Sequence, residues 1–209
     1  MPLIQHKSVP GGGSLALWNI TEQADEMLEV LRSQGIYADI PFFRNPGRLK
    51  EWLAARLLMA ELGVKAKIVY NTLGKPNIEG EHAHISISHS GEYVGVIMHR
   101  EHPVGIDIEK TGDRIHRVSS KFVGDNEWAW LQRPGDAERL YVIWGAKECA
   151  FKIYGLGEID FRDNLEVERF DMEQEGITRI HFKKGDIHCI YQVFFQYLND
   201  VMVTYAIAS

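Results

Sequence analysis

Two periodicities divide the chain. Alternation of apolar and polar residues marks strands, and apolar residues recurring every three to four positions mark helices. The first alternating run, Ser14–Ile20, predicts a strand. Thr21 then caps a helix running to about Ser33, with Ala24, Met27, Leu28 and Leu31 on one face and Gly35 ending it. Asn45-Pro46 predicts a helix start, a capping side chain followed by proline, for a helix reaching Leu62 and stopping at Gly63. Residues 66–70 predict a strand, and residues 84–100 a hairpin turning at Ser90-Gly91-Glu92. Val104-Gly105-Ile106-Asp107-Ile108-Glu109-Lys110 predicts a further strand. A short helix follows, from Gly124 to about Leu131 with Asp125 as cap, then a break at Pro134-Gly135. Asp136 caps a long helix that ends at Tyr154-Gly155. Runs near 165–170, 177–183, 187–197 and 201–208 predict a β meander, with turns at Glu175-Gly176, Lys184-Gly185 and Asn199-Asp200.

The order of elements repeats: strand, helical region, longer helix, hairpin strands. This predicts an α+β fold of two similar halves, 1–103 and 104–209, each a small, mainly antiparallel sheet packed with a long helix. A cleft between two such halves is a usual place for a ligand.

Composition narrows the function. The 209 residues are 45% hydrophobic and 25% charged, ordinary for a globular protein. The net charge of −6 argues against broad nucleic-acid binding, which needs a basic face. Two cysteines, Cys149 and Cys189, make no disulfide framework. No apolar run approaches the roughly 20 residues that span a bilayer, and the N-terminus lacks the apolar core of a signal peptide. A cytoplasmic protein without membrane contact is the expectation.

The candidate chemistry begins at 104–110. Val104, Ile106 and Ile108 point to one side; Gly105, Asp107 and Glu109 point to the other. Residues i and i+2 lie roughly 6.6 Å apart along a strand. Two carboxylates at that spacing repel unless a cation attends them, and a hard cation such as Mg²⁺ accepts one or two carboxylates plus substrate phosphates. An acidic solvent face is the alternative. Arg56 falls within the apolar stripe of its helix, beside Leu49, Trp52, Leu53 and Met59, so it needs a partner: a local ion pair, or an anion in a cleft. Gly74-Lys75-Pro76 forms a fixed turn presenting a lysine. Ser88 and His89 fall where a strand meets its turn, and can donate to phosphate oxygens. Ser90 lacks the glycine frame of a nucleophile elbow. Glu127 lies in the first turn of the short helix. On the long helix Ala146, Cys149, Ala150 and Ile153 form an apolar face. Trp144, Lys147, Glu148, Phe151 and Lys152 share the other, and two large aromatics there predict that it is covered by protein or ligand. Two lysines and a glutamate in a covered site suit phosphoryl transfer.

VGIDIEK at 104–110 with WGAKECAFK at 144–152 resembles the signature pair of the 4′-phosphopantetheinyl transferases, in the longer, surfactin-synthetase-activating type. Gly74-Lys75-Pro76, Ser86–Ser90 and Glu127 fit the same pattern. The resemblance implies two α+β halves related by a pseudo-twofold axis, with coenzyme A between them. It implies transfer of phosphopantetheine from coenzyme A to a serine of an apo acyl or peptidyl carrier protein, with adenosine 3′,5′-bisphosphate as the other product. Asp107, Glu109 and Glu127 are then the Mg²⁺ carboxylates, and Glu148 is the base for the carrier serine, directly or through water, or else a further group approaching the metal. Lys147 and Lys152 attend the pyrophosphate. Arg56, Gly74, Lys75, Pro76, Ser88 and His89 contact coenzyme A, with Arg48 a further candidate. A monomer suffices when both halves lie in one chain. Arg114, Arg117, Lys121 and Phe122 are candidates for a carrier-docking surface, or else a solvated helix face. A Mg²⁺-dependent nucleotide pyrophosphate hydrolase and a non-catalytic coenzyme A-binding protein are the competing readings.

Overall fold

The glycine-rich turn at Pro10–Gly12 folds β1 (Leu3–Val9) back onto β2 (Gly13–Asn19), a hairpin that the weakly patterned sequence before residue 14 did not announce. The structure, a computed structural model, describes residues 3–36, 40–131 and 136–208. The chain divides into two units, Met1–Glu101 and His102–Ser209.

The first unit continues with α1 (Ala24–Ser33), α2 (Pro46–Glu61), β3 (Ile68–Tyr70), β4 (Pro76–Ile78), β5 (His84–Ser90) and β6 (Tyr93–His99). Asn45 caps α2 as its sequence predicts, its Oδ1 accepting from the Gly47 N–H at 2.9 Å. The start of α1 differs: Gln23, not Thr21, is the cap residue, and Glu26 reaches back to the Gln23 N–H at 2.8 Å. A first-turn glutamate that closes this reciprocal bond outweighs a hydroxyl two residues earlier.

The second unit comprises β7 (Val104–Lys110), α3 (Arg114–Val118), α4 (Asp125–Trp128), α5 (Ala137–Tyr154), β8 (Leu165–Val167), β9 (Glu175–Lys184), β10 (Ile187–Leu198) and β11 (Val201–Ala208). Gly155, at φ +64°, ends α5 in the left-handed conformation that glycine adopts without strain. Gly124 rather than Asp125 is the cap position of α4. Asp136 makes no cap bond and instead pairs with Arg139 at 2.6 Å. Glu175-Gly176 lies inside β9 instead of forming a turn. The break expected at Pro134-Gly135 lies outside the described residues.

The predicted duplication is visible in connectivity. The first sheet runs β1-β2-β6-β5-β4-β3 and the second β7-β11-β10-β9-β8. Without β1, each sheet places its first strand beside its last and orders the others in reverse. Every pairing between these strands is antiparallel. This is the α+β class that the sequence predicts.

In the second unit α5 lies across β7 and β11. Ala146, Cys149, Ala150 and Ile153 pack into the core with Met202, Ala206 and Val193. Two glycines set the spacing between helix and sheet. A Cβ at Gly105 would lie 2.4 Å from the Cys149 carbonyl oxygen, and one at Gly145 would lie 2.6 Å from the Thr204 hydroxyl. The Gly105 clash is with backbone, which cannot turn aside. Gly105→Ala is therefore expected to lower stability by about 3 kcal/mol, the upper part of the usual overpacking range. Chemical denaturation checks this, and a wild-type midpoint would show that the helix can shift freely.

Candidate active site

The close approach of α5 to β7 builds the charged cluster. Asp107 and Glu109 project from β7 toward the helix, and Glu148 and Lys152 project from α5. Asp107 is buried, at 6% exposure, so the acidic side of β7 faces protein, not solvent. Lys152 Nζ donates to Asp107 Oδ1 at 3.0 Å and to the Ile106 carbonyl at 2.7 Å. Glu109 Oε1 accepts from the Trp144 indole N–H at 3.1 Å. The indole thus aims one of the carboxylates, a role the sequence reading did not assign. Its available signal was a tryptophan on the charged side of the helix.

The carboxylates act on one another. Burial, then the charge of Asp107, pushes the Glu148 carboxyl up to about 7; Lys152 opposes this and Glu109 adds to it. Burial and then Asp107 likewise raise Glu109, against the Trp144 hydrogen bond and the charges of Arg114 and Lys152. Burial works against the Lys152 charge, but the surrounding acids, Asp107 foremost, outweigh it and hold the ammonium above its ordinary value. Three acids thus attend one lysine, an excess of negative charge suited to a hard divalent cation. No three His, Cys, Asp or Glu side chains among the described residues are already spaced as ligands of one ion.

The expected grouping is redrawn at two residues. Glu127 does not join Asp107 and Glu109. Its Oε2 accepts from the Gly124 N–H at 2.7 Å and from Lys147 Nζ at 2.7 Å, and its Oε1 accepts from the Val167 N–H at 2.9 Å. Lys147, 0% exposed, spends its other donors on the Phe122 carbonyl at 2.7 Å and the Phe161 carbonyl at 2.8 Å. The expected metal ligand and one of the expected pyrophosphate lysines are therefore each other's partners in a dry interior. Phe161 covers this side of α5, with ring centroids 5.5 Å from Trp144 and 6.1 Å from Phe151. The covering predicted from those aromatics is made by protein.

Beside Glu109 opens a cavity of about 500 Å³. Ile115, Val118, Phe122 and Trp144 wall it, and Arg114 and Lys121 supply cations. Arg117 is exposed and is not among the lining residues.

In the first unit Arg56 finds neutral company. It donates to the Trp52 carbonyl at 3.0 Å, its guanidinium lies 3.3 Å from the Trp52 ring centroid, and Tyr70 hydrogen-bonds it. Burial lowers it to about 10. Asn71 Oδ1 accepts from Leu73 and Lys75 N–H groups and shapes the turn carrying Gly74, Lys75 and Pro76. Burial lowers the Lys75 ammonium. Ser88 is buried on β5. His89 Nε2 meets Arg48 Nη1 at 2.6 Å, and Glu51 pairs with both residues. Arg48 and His89 are thus neighbours, as a shared anion site would need.

Residues 103–206 match the family described as the 4′-phosphopantetheinyl transferase superfamily. Over 90 residues the chain is 36% identical to the 4′-phosphopantetheinyl transferase gsp of Aneurinibacillus migulanus, covering 42% of this chain and 37% of that protein. Over 136 residues it is 29% identical to the 4′-phosphopantetheinyl transferase Sfp of Bacillus subtilis strain 168, covering 62% and 59%. Over 115 residues it is 29% identical to the 4′-phosphopantetheinyl transferase AcpT of Salmonella typhimurium, covering 52% and 60%. The matches thus span from 37% to 60% of these relatives' lengths. The matched stretch contains β7, α5 and every residue of the charged cluster between them, and through it the chain belongs to the 4′-phosphopantetheinyl transferase superfamily.

Proposed function

We propose that this protein transfers the 4′-phosphopantetheine group of coenzyme A to a serine hydroxyl of an apo acyl or peptidyl carrier protein. Adenosine 3′,5′-bisphosphate is the other product, and the protein works as a Mg²⁺-dependent cytoplasmic monomer. The observation carrying this reading is the cluster of Asp107, Glu109, Glu148 and Lys152 within the stretch that matches the superfamily. Asp107 and Glu109 would hold the ion, since Mg²⁺ takes only one or two carboxylates and leaves its other positions to water and phosphate. Bound there, it would neutralise charge developing on the pyrophosphate oxygens.

A serine hydroxyl is a poor nucleophile without a base. Glu148, at about 7, is poised to take its proton near neutral pH. The serine oxygen then bonds to the phosphorus bearing pantetheine. The bond from that phosphorus to the bridging oxygen breaks, and its electron pair leaves with the bisphosphate. Lys152 keeps its proton, because the acids around it raise its affinity, and so serves as a fixed positive charge. Lys147 takes no part in this step, since its donors are used in the interior. Arg56, Gly74, Lys75, Pro76, Ser88 and His89 are proposed as coenzyme A contacts, Arg48 with them. The cavity beside Glu109, apolar with Arg114 and Lys121 at hand, suits an acidic carrier with an apolar contact face.

Intact-mass spectrometry of an apo carrier protein, incubated with this protein, coenzyme A and Mg²⁺, tests the reading. The expected result is a gain of one phosphopantetheine, lost with EDTA or when the carrier serine is replaced. Coenzyme A cleaved with no carrier modified would turn the assignment to a hydrolase. Coenzyme A bound but intact, with fatty-acid, polyketide and peptide carriers all unmodified, would turn it to a binding protein.

A further inference from the structure

Thr204 lies on β11 directly across from Asp107, with the two residues as register partners. Both project to the side of the sheet under α5, where Met202 and Ala206, two positions either way on β11, join the core. Thr204 is 1% exposed, and its hydroxyl oxygen has no hydrogen-bond partner. The oxygen is held against the helix at Gly145, where even a methyl group would come within 2.6 Å. Buried hydroxyls nearly always find partners, and an orphan in a dry interior calls for an explanation. Valine has the same shape and would carry no such penalty. Thr204 sits one cross-strand step from the carboxylate that holds Lys152.

Opposed side chains on paired strands have Cβ atoms roughly 4.5–5.5 Å apart, near enough for a hydroxyl to reach a carboxylate by rotation about its own χ1. Resting on the transferase reading above, we propose that Thr204 is a positioning residue whose hydroxyl donates to Asp107 when the carboxylate turns from Lys152 to a bound cation. A metal-binding carboxylate only accepts hydrogen bonds, so a neutral donor from the neighbouring strand fixes its orientation without competing for the cation. Gly145 keeps the helix close enough to shut water out of this contact.

The test compares Thr204→Val and Thr204→Ser with the wild type, by thermal unfolding with and without Mg²⁺ and by carrier modification. Without Mg²⁺, Thr204→Val is expected to melt at or above the wild-type midpoint, higher by about 2–4 °C, because it removes an unpaired buried hydroxyl. Its Mg²⁺ requirement, read as the half-saturating concentration for the Mg²⁺-induced shift in midpoint, is expected to rise by about 10–100-fold, the usual effect of losing a partner behind a metal ligand. Turnover is expected to fall on the same scale, with the KM for coenzyme A unchanged. Thr204→Ser, which keeps the hydroxyl, is expected to restore both. An unchanged Mg²⁺ requirement in Thr204→Val would overturn the proposal, and so would a midpoint several degrees below wild type without Mg²⁺. If the wild type modifies no carrier, the transferase reading fails, and the Mg²⁺-induced shift still decides the role of Thr204.

Discussion

Lys147→Met is expected to lose about 3–5 kcal/mol of stability, the usual effect of removing one partner from a buried ion pair. For a chain of this size that is a fall of roughly 6–20 °C in the unfolding midpoint. The pair is 0% and 1% exposed in its side chains. Burial, the largest influence on each, pushes Glu127 up and Lys147 down, against the charge that each supplies to the other. The pair also serves the backbone around it: the carbonyls of Phe122 and Phe161, and the N–H groups of Gly124 and Val167. Buried pairs can often be replaced by apolar residues without loss. Here four backbone groups would be orphaned, at about 1–3 kcal/mol each, so Lys147→Met with Glu127→Leu is not expected to recover stability. In the single variant Glu127 stays buried without its cation. A carboxyl raised in the folded state binds more protons folded than unfolded, so stability rises as pH falls. The deficit against wild type is expected to shrink from neutral pH toward the ordinary glutamate value of about 4.3. Urea denaturation at several pH values checks both claims. A neutral-pH loss below about 1 kcal/mol would show that the interior rearranges around the gap.

The pairing of Glu127 with Lys147 was not legible in the sequence. Helical phase puts Lys147, Glu148 and Lys152 on one side of α5, yet Lys147 is wholly buried there and Lys152 is not. Phase cannot say which of three neighbouring side chains reaches a site and which turns under a covering loop. Phe161, in the stretch after α5 where no periodicity fixes its direction, makes that difference. The fold was more legible. Alternation at 104–110 and the turns at Lys184-Gly185 and Asn199-Asp200 are local signals, and the strands they bound are where they were expected. β1 was not legible, because Leu3–Val9 alternates poorly and its pairing depends on the turn at Pro10–Gly12. The position of Glu148 beside Asp107 was within reach of reasoning. Gly105 removes bulk just before the two acids, and the structure shows that this admits the α5 backbone at Cys149, the residue after Glu148.

Asp107→Asn is expected to separate activity from stability most sharply. The substitution keeps shape and removes one charge. Lys152 keeps its bond to the Ile106 carbonyl, so the helix stays anchored to β7. Glu148 and Glu109 lose a repelling neighbour, which offsets the loss of the Asp107–Lys152 pair. Stability is therefore expected to stay within about 1 kcal/mol of wild type, the net scale of one hydrogen bond, because the lost attraction and the relieved repulsion oppose each other. Carrier modification is expected to fall by at least about 10²–10³-fold in kcat, the scale on which a single electrostatic group in a dry site contributes to the transition state. The Mg²⁺-induced shift in unfolding midpoint is expected to vanish with it. Loss of activity with the midpoint preserved would support Asp107 as a metal carboxylate. Normal turnover in Asp107→Asn would remove that role. A large fall in midpoint would instead make the Asp107–Lys152 contact a structural tie between β7 and α5, leaving Glu109 and Glu148 as the remaining acids on which a cation could rest.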